Sequence, residues 1–337
     1  MSPPPCGSEY CRPPDAAVPP SVHAPDRGGS SGMPPSETSV SLVPLSLSDR
    51  EVFKAAEGRR PLVGSDASFT NMLIWQNYYR YVWGILESGA LCVMARPADG
   101  PPFSLAPAGA DDAGDWDAAA SLMASVGEEP LFSRIPEREA EFIRAERPGW
   151  EVEADRANDD YVYDAEKLRT LSGRSMHQKK NHYNHFIQNF RAEFLPITRD
   201  LFPELKRVED KWLTLKTEKE GEGAATHLAM EREAIHAILE NFEALGQKGL
   251  AVTIDGRIEA FTVGEMLSPD TLLVHVEKGN PEIRGIYVAL CSHFVRQIYP
   301  EVQFVNREQD LGLPGLRRSK ESLKPHHFVR KFTVRPR

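Results

Sequence analysis

The sequence predicts an α/β fold laid out as two domains in succession behind an unstructured tail. Three observations carry this. The 337 residues exceed what one hydrophobic core ordinarily organises. Apolar side chains switch between a period near 3.6 and a period of 2, most cleanly in the second half. Pro, Gly, Ser and Ala dominate Ser2 to Ser39, a composition that buries too little apolar surface to offset the entropy of ordering. The resulting division is a disordered tail at 1–39, a first domain at 40–170, a basic connecting helix at 171–192 and a second domain at 193–337.

In the first domain, Ser65 or Asp66 caps an amphipathic helix running to Tyr79. Strands are expected at Leu91–Ala95, Phe103–Leu105, Pro130–Ile135, Trp150–Glu153 and Tyr161–Tyr163, with helices at Trp116–Val126 and Pro136–Glu146. A basic helix at Ser175–Phe190 follows. The second domain reads as a strand at Glu193–Ile197, helices at Leu201–Leu215 and Met230–Leu245, and three strands at Leu250–Ile254, Ile258–Met266 and Leu272–Val276. Asp255-Gly256 between the first two of these is a strong hairpin signal. A helix at Arg284–Tyr299, a strand at Gln303–Asn306, a short helix at Pro314–Ser322 and a final strand at Phe328–Thr333 complete the order.

Composition bounds the function. A net charge of -9 argues against a surface built throughout for nucleic acid and leaves room for a local basic patch. No run approaches the roughly 18 apolar residues of a membrane helix, so no integral membrane segment is expected. Cys6, Cys11, Cys92 and Cys291 are too few and scattered for a disulfide framework, and no secretory leader is visible, which points to the cytoplasm. Cys6 and Cys11 lack a matching second pair, so no metal site is expected.

Several stretches resemble a soluble bacterial family related to the C-terminal domain of phosphatidylglycerol lysyltransferases. They are Gly64-Ser65-Asp66 with Phe69-Thr70-Asn71, Asn241-Phe242, His275-Val276-Glu277-Lys278, Glu282-Ile283-Arg284-Gly285, Asn306-Arg307-Glu308, Asp310-Leu311-Gly312 and Leu316-Arg317-Arg318-Ser319-Lys320. The order of elements in the second half likewise resembles the GNAT (Gcn5-related N-acetyltransferase) fold. The resemblance, from about Leu45 to the C-terminus, implies two tandem GNAT-like domains, each a mixed central sheet flanked by helices. It implies an acyltransferase with no tightly bound cofactor, acyl-CoA or aminoacyl-tRNA serving as co-substrate, and a small-molecule or lipid-headgroup amine or hydroxyl as acceptor. The membrane-spanning portion of the lysyltransferases has no counterpart here, and of the RxxGxG spacing of coenzyme A binders only Arg284-Gly285 is present.

Candidate site residues gather at two strand ends. The turn from Glu277 to Gly285 leads into the N-terminus of an apolar helix, where backbone N–H groups and the helix dipole favour phosphate; Lys278, Arg284, Gly285 and Tyr287 are the donor-binding candidates there. Glu277 or His275 can take a proton from the attacking group; the competing readings are an ion pair of Glu277 with Lys278, Arg284 or Arg307, and a satisfied core histidine. Asn306, Arg307, Glu308 and Asp310 follow the next strand, either clamping a substrate's carboxylate, phosphate or ammonium or forming a solvated loop. Lys320 neutralises an oxyanion, contacts donor phosphate or is a surface lysine. The stretch from Lys167 to Ala192 holds no acidic residue, so Arg174, Lys179 and Lys180 suit tRNA or an anionic lipid surface unless they merely solvate a helix face. The competing functional class is a non-catalytic metabolite- or partner-binding module on a degenerate cleft. Oligomeric state is not legible.

Overall fold

The structure is a computed structural model that describes residues 40–58, 63–109, 112–220 and 222–337; the tail assigned to 1–39, with Cys6 and Cys11, lies outside the described residues. The first half contains β1 (Val43–Pro44), α1 (Arg50–Glu57), α2 (Phe69–Ile74), α3 (Gln76–Tyr79), β2 (Val82–Ile85), β3 (Leu91–Ala95), β4 (Phe103–Ser104), α4 (Ala113–Ser125), β5 (Phe132–Pro136), α5 (Glu137–Glu146), β6 (Glu151–Ala154) and β7 (Asp160–Asp164). Two helices, α6 (Ala165–Thr170) and α7 (His177–Asn189), lead onward. The second half contains β8 (Ala192–Pro196), α8 (Phe202–Glu220), α9 (Glu222–Glu240), β9 (Lys248–Ile254), β10 (Arg257–Ser268), β11 (Thr271–Gly279), α10 (Ile286–Gln297), β12 (Phe304–Asn306), α11 (Pro314–Glu321), β13 (His327–Val329) and β14 (Lys331–Arg335).

Two mixed sheets flanked by helices result, as the α/β GNAT-like reading requires. The first has the order β1-β2-β3-β4-β5-β14-β6 and the second, read from its other edge, β8-β9-β10-β11-β12-β7-β13. The same internal position is filled in each sheet by a strand from the other half. β7 lies antiparallel between β12 and β13, and β14 lies antiparallel between β5 and β6. The halves therefore exchange one strand each.

This departs from the sequence reading in two places. Tyr161–Tyr163, expected in the first sheet, belongs to the second. The expected strand Phe328–Thr333 is divided: β13 stays in the second sheet and β14 crosses to the first. Alternation of apolar and polar residues shows that a strand is half-buried without showing which sheet it joins. Phe332 and Val334 of β14 are buried beside Phe132, Ile135 and Ile143 of the first core, each contributing roughly 1.5–3 kcal/mol. Tyr163 is buried with Phe186, Leu290 and Phe294 in the second. A third cluster spans both sheets, joining Leu91, Val93 and Phe103 to Phe261, Val263 and Val276, with Phe53, Phe69, Ile235 and Leu239 from the helices.

The expected helix from Ser65 to Tyr79 is also broken. Ser65–Ala67 form a single 3-10 turn, and the cap is Ser68, whose hydroxyl accepts from the Asn71 N–H at 3.2 Å. Ser65 and Asp66, expected as caps, are buried in polar contacts with Asp160 of β7 and Lys331 of β14. Val82–Ile85 forms a strand that the sequence reading did not place. No helix among the described residues is long and apolar enough to cross a membrane.

Candidate active site

The parting of two parallel strands creates the site. β11 and β12 pair only at Thr271 with Phe304, Leu272 with Val305 and Leu273 with Asn306. Beyond that point β11 runs on to Gly279, while the segment after β12 turns aside with Glu308 in the left-handed region at φ 56°. The opening expected between Glu277 and Asn306 would fall where these two strands part. Side chains from 306–310 reach across it.

Arg307 donates to the Glu277 carboxylate at 2.5 Å and lies 5.7 Å from the centre of the Tyr163 ring. His275 is buried between two carboxylates, Nδ1 at 3.2 Å from Glu308 and Nε2 at 3.1 Å from Glu265. Burial alone would lower its pKa, but the hydrogen bonds and charges of Glu265 and Glu308 outweigh burial and raise it to about 9. His275 is thus an imidazolium at neutral pH. Glu265 also accepts from Ser68 at 2.7 Å and from Thr70 and Gln247, both at 2.8 Å. Burial would raise its pKa, yet these donors and His275 hold it below the usual carboxylate range. The side chains of Glu265, Glu277 and Glu308 remain 16%, 13% and 21% exposed, so the cluster still meets solvent.

Lys320 approaches from α11, its ammonium donating to the backbone carbonyls of Arg307 and Glu308, the latter at 3.1 Å. Burial, with the Arg307 charge added to it, pushes its pKa down to about 8. Tyr163 accepts the α11 strap from below, its hydroxyl donating to the Lys320 carbonyl at 2.9 Å.

The exchanged strands supply the floor. Asn306 is buried, donating from Nδ2 to Asp160 of β7 at 3.0 Å and accepting the Glu308 N–H at 2.8 Å. Asp160 also accepts from the Ser65 N–H and hydroxyl, at 2.7 and 2.8 Å, and from the Lys331 ammonium of β14 at 2.5 Å. Lys331 bridges onward to Asp66, which Arg134 holds at 3.0 Å. A lysine whose side chain is wholly buried is tolerable because two carboxylates face it. Asp66, Asp160, Glu265, Arg134 and Lys331 were missed by sequence reasoning. The available signals were a lysine amid the apolar residues of Val329–Val334 and an aspartate opening the run Tyr161–Tyr163.

Other candidates fall outside the opening. Lys278 points to α8 and α9, pairing with Glu209 at 3.5 Å and Glu231 at 2.7 Å, and Tyr287 donates to the Gly279 carbonyl at 2.7 Å. Asp310 is buried and anchors α11, accepting from Tyr161 at 2.6 Å and from Arg317 at 2.7 and 2.9 Å. Arg284 is exposed. Gly285 is at φ 92°, and a Cβ there would lie 2.2 Å from the carbonyl oxygen of His182 on α7. That glycine therefore admits protein backbone. On α7, Lys179 is half-buried and donates to Ser322 at 2.7 Å, whereas Lys180 and, just before the helix, Arg174 are exposed. In the first half, β4 and β5 pair only at Ser104 with Phe132, and a cavity of about 300 Å³ beside them is lined by Tyr79, Phe103 and Arg134. No local pattern in the sequence marks it.

Known proteins share this architecture. A conserved protein of unknown function from Bacteroides thetaiotaomicron is 28% identical, with a TM-score of 0.81 over 88% of this chain and 99% of that one. The C-terminal domain of a putative lysylphosphatidylglycerol synthetase from Agrobacterium fabrum is 15% identical, with a TM-score of 0.59 over 85% and 92%. The L-PGS structure from Bacillus licheniformis is 16% identical, with a TM-score of 0.59 over 85% and 91%. At these last two identities the likeness concerns the fold. An uncharacterized protein of Mycoplasmoides gallisepticum is 27% identical over 178 residues, 52% of this chain and 56% of that protein, so the match spans little more than half of the relative's length. The model of the phosphatidylglycerol lysyltransferase C-terminal family matches residues 59–335, and the chain belongs to that family.

Proposed function

We propose that the chain transfers an aminoacyl group from an aminoacyl-tRNA to an amine or hydroxyl, of a small molecule or a lipid headgroup. The observation that supports this best is the solvent-accessible group of three carboxylates, Glu265, Glu277 and Glu308, around the parted strands. Such a group suits the ammonium of an aminoacyl ester and has no role for the uncharged acetyl group of a thioester. The α7 backbone against Gly285 weighs in the same direction, since it crowds the helix N-terminus at which coenzyme A phosphates would bind.

In this reading Glu308 and Glu277 hold the ammonium, and Arg307 and His275 fix those carboxylates. The acceptor's lone pair attacks the ester carbonyl, forming the new C–N or C–O bond. Collapse of the tetrahedral intermediate breaks the ester C–O bond to the ribose. Lys320, part neutral near pH 8, takes the acceptor's proton and returns it to the departing ribose oxygen. His275 is too firmly protonated to act as the base and serves as a positioning cation. The ester is already reactive, so proximity supplies much of the acceleration. Exposed Arg174 and Lys180 are the candidate tRNA contacts.

A second reading is favoured by one observation: each of the three carboxylates already has an internal cationic partner, as a degenerate binding module would. The discriminating experiment incubates the protein with radiolabelled total aminoacyl-tRNA and a cell extract of lipids and small molecules. Label should leave the tRNA for an acceptor, and Lys320→Met should slow this by about 100-fold or more with a thermal midpoint no lower than the parent's, since the variant removes a buried charge that folding disfavours. No label transfer, with charged tRNA still raising the thermal midpoint, would support the module instead.

A further inference from the structure

The segment that closes the site also carries an exposed apolar tip. Leu311 to Leu316, Leu-Gly-Leu-Pro-Gly-Leu, are all exposed and have no polar side chain among them. Leu311, Leu313 and Leu316 are 43%, 47% and 37% exposed. Phe328, itself exposed, is linked to this segment through Arg156, whose guanidinium lies 4.8 Å over its ring and reaches Asp310 at 3.3 Å and Glu321 at 3.7 Å. The tip is built firmly. The Leu311 N–H donates to the Ala157 carbonyl at 2.9 Å, the Gly312 N–H to the Asp310 carboxylate at 2.8 Å, and the Leu313 N–H to the Asp310 carbonyl at 2.9 Å. Leu311 adopts φ 53°, a costly conformation for leucine. Aliphatic side chains are thus displayed to water on a fixed backbone, where burial would ordinarily be the gain.

Arg156 pairs with Asp159, Asp310 and Glu321, and Arg317 with Asp310. Arg318 and Lys324 are exposed and have no acidic partner among the described residues. An aliphatic tip flanked by unpaired cations matches the two terms that bind a protein to a lipid surface, apolar insertion below the headgroups and attraction to their phosphates. A two-fold contact between copies of the tip would instead face each cation set with its own duplicate. We propose that this tip docks the protein on an anionic phospholipid bilayer, with Leu311, Leu313, Leu316 and Phe328 entering the interface and Arg318 and Lys324 meeting lipid phosphates. The proposal stands apart from the transfer reaction, although docking would bring Lys320, on the same helix, close to the membrane.

The experiment is co-sedimentation of the full chain with three kinds of vesicle: phosphatidylcholine alone, and phosphatidylcholine containing about a third of either phosphatidylserine or phosphatidylglycerol. Binding to both anionic kinds, weakening as salt rises and absent from phosphatidylcholine alone, is expected. The double variants Leu313→Ser/Leu316→Ser and Arg318→Gln/Lys324→Gln should each lose about tenfold in affinity or more, with thermal midpoints unchanged. Binding to no vesicle, binding regardless of lipid charge, or undiminished binding by the leucine variant would overturn the proposal. So would binding to phosphatidylglycerol alone, which signals a headgroup pocket, or a dimer in sedimentation that the leucine variant abolishes. Lys320→Met should bind vesicles like the unmodified chain, so a failure of docking and a failure of catalysis remain distinguishable.

Discussion

His275 is charged in the folded protein across a pH range in which a solvated histidine is neutral. Its folded pKa of about 9 lies above the ordinary 6.5, so its stabilisation is complete below about pH 6.5 and is lost as pH rises through about 9. A shift of this size corresponds to about 3 kcal/mol. Lys320 acts in the opposite sense: its pKa is depressed to about 8, so folding disfavours its charge and gains stability as pH climbs from there toward 10.5. Urea unfolding at pH 6.5 and 9.5, run on the unmodified chain and on His275→Gln, separates the two. Only the unmodified chain should show the His275 loss; an equal pH response in both would show that the imidazolium is not held as described. At this scale the sequence could single out Glu277, Asn306, Arg307 and Glu308 as candidates, because each stands at or near the end of a legible strand. It concealed Asp160 and Lys331, which meet across 171 residues, since a charged residue in a strand pattern ordinarily reads as facing solvent.

At the scale of elements, α7 and α10 meet at a glycine. Gly285→Ala puts a methyl group 2.2 Å from the His182 carbonyl oxygen at a φ of 92°, combining left-handed strain with overpacking. A loss of about 2–4 kcal/mol is expected, with faster amide exchange along His177–Asn189. An alanine variant as stable and as protected as the parent would mean that α7 does not lie against that turn. Legibility again depended on range. The helix from Ile286, the hairpin at Asp255-Gly256 and the strand ending at Asn306 were written in local periodicity and turn chemistry. Gly285 was equally visible, but a glycine that admits phosphate and one that admits a neighbouring helix look alike until the neighbour is placed.

For the molecule as a whole, the reciprocal exchange of β7 and β14 ties the two sheets together. Neither sheet is complete without a strand from the other half, and Lys331 of β14 is ion-paired to Asp160 of β7. Residues 40–337 accordingly form one compact unit. Scanning calorimetry should show one transition whose calorimetric and van't Hoff enthalpies agree; two resolved transitions would show that the halves fold independently. The sequence announced two sheets but not their interlock, because swapping two half-buried strands of similar alternation leaves the pattern unchanged.

The central claim is that the carboxylates at the parted strands read the ammonium of an aminoacyl group. It is tested most directly by comparing affinity for an aminoacyl-tRNA with affinity for the same molecule after acetylation of its amino group. The account predicts about tenfold or greater weakening on acetylation, and a Glu308→Gln variant that no longer tells the two apart. Equal affinity of the unmodified protein for both would contradict it.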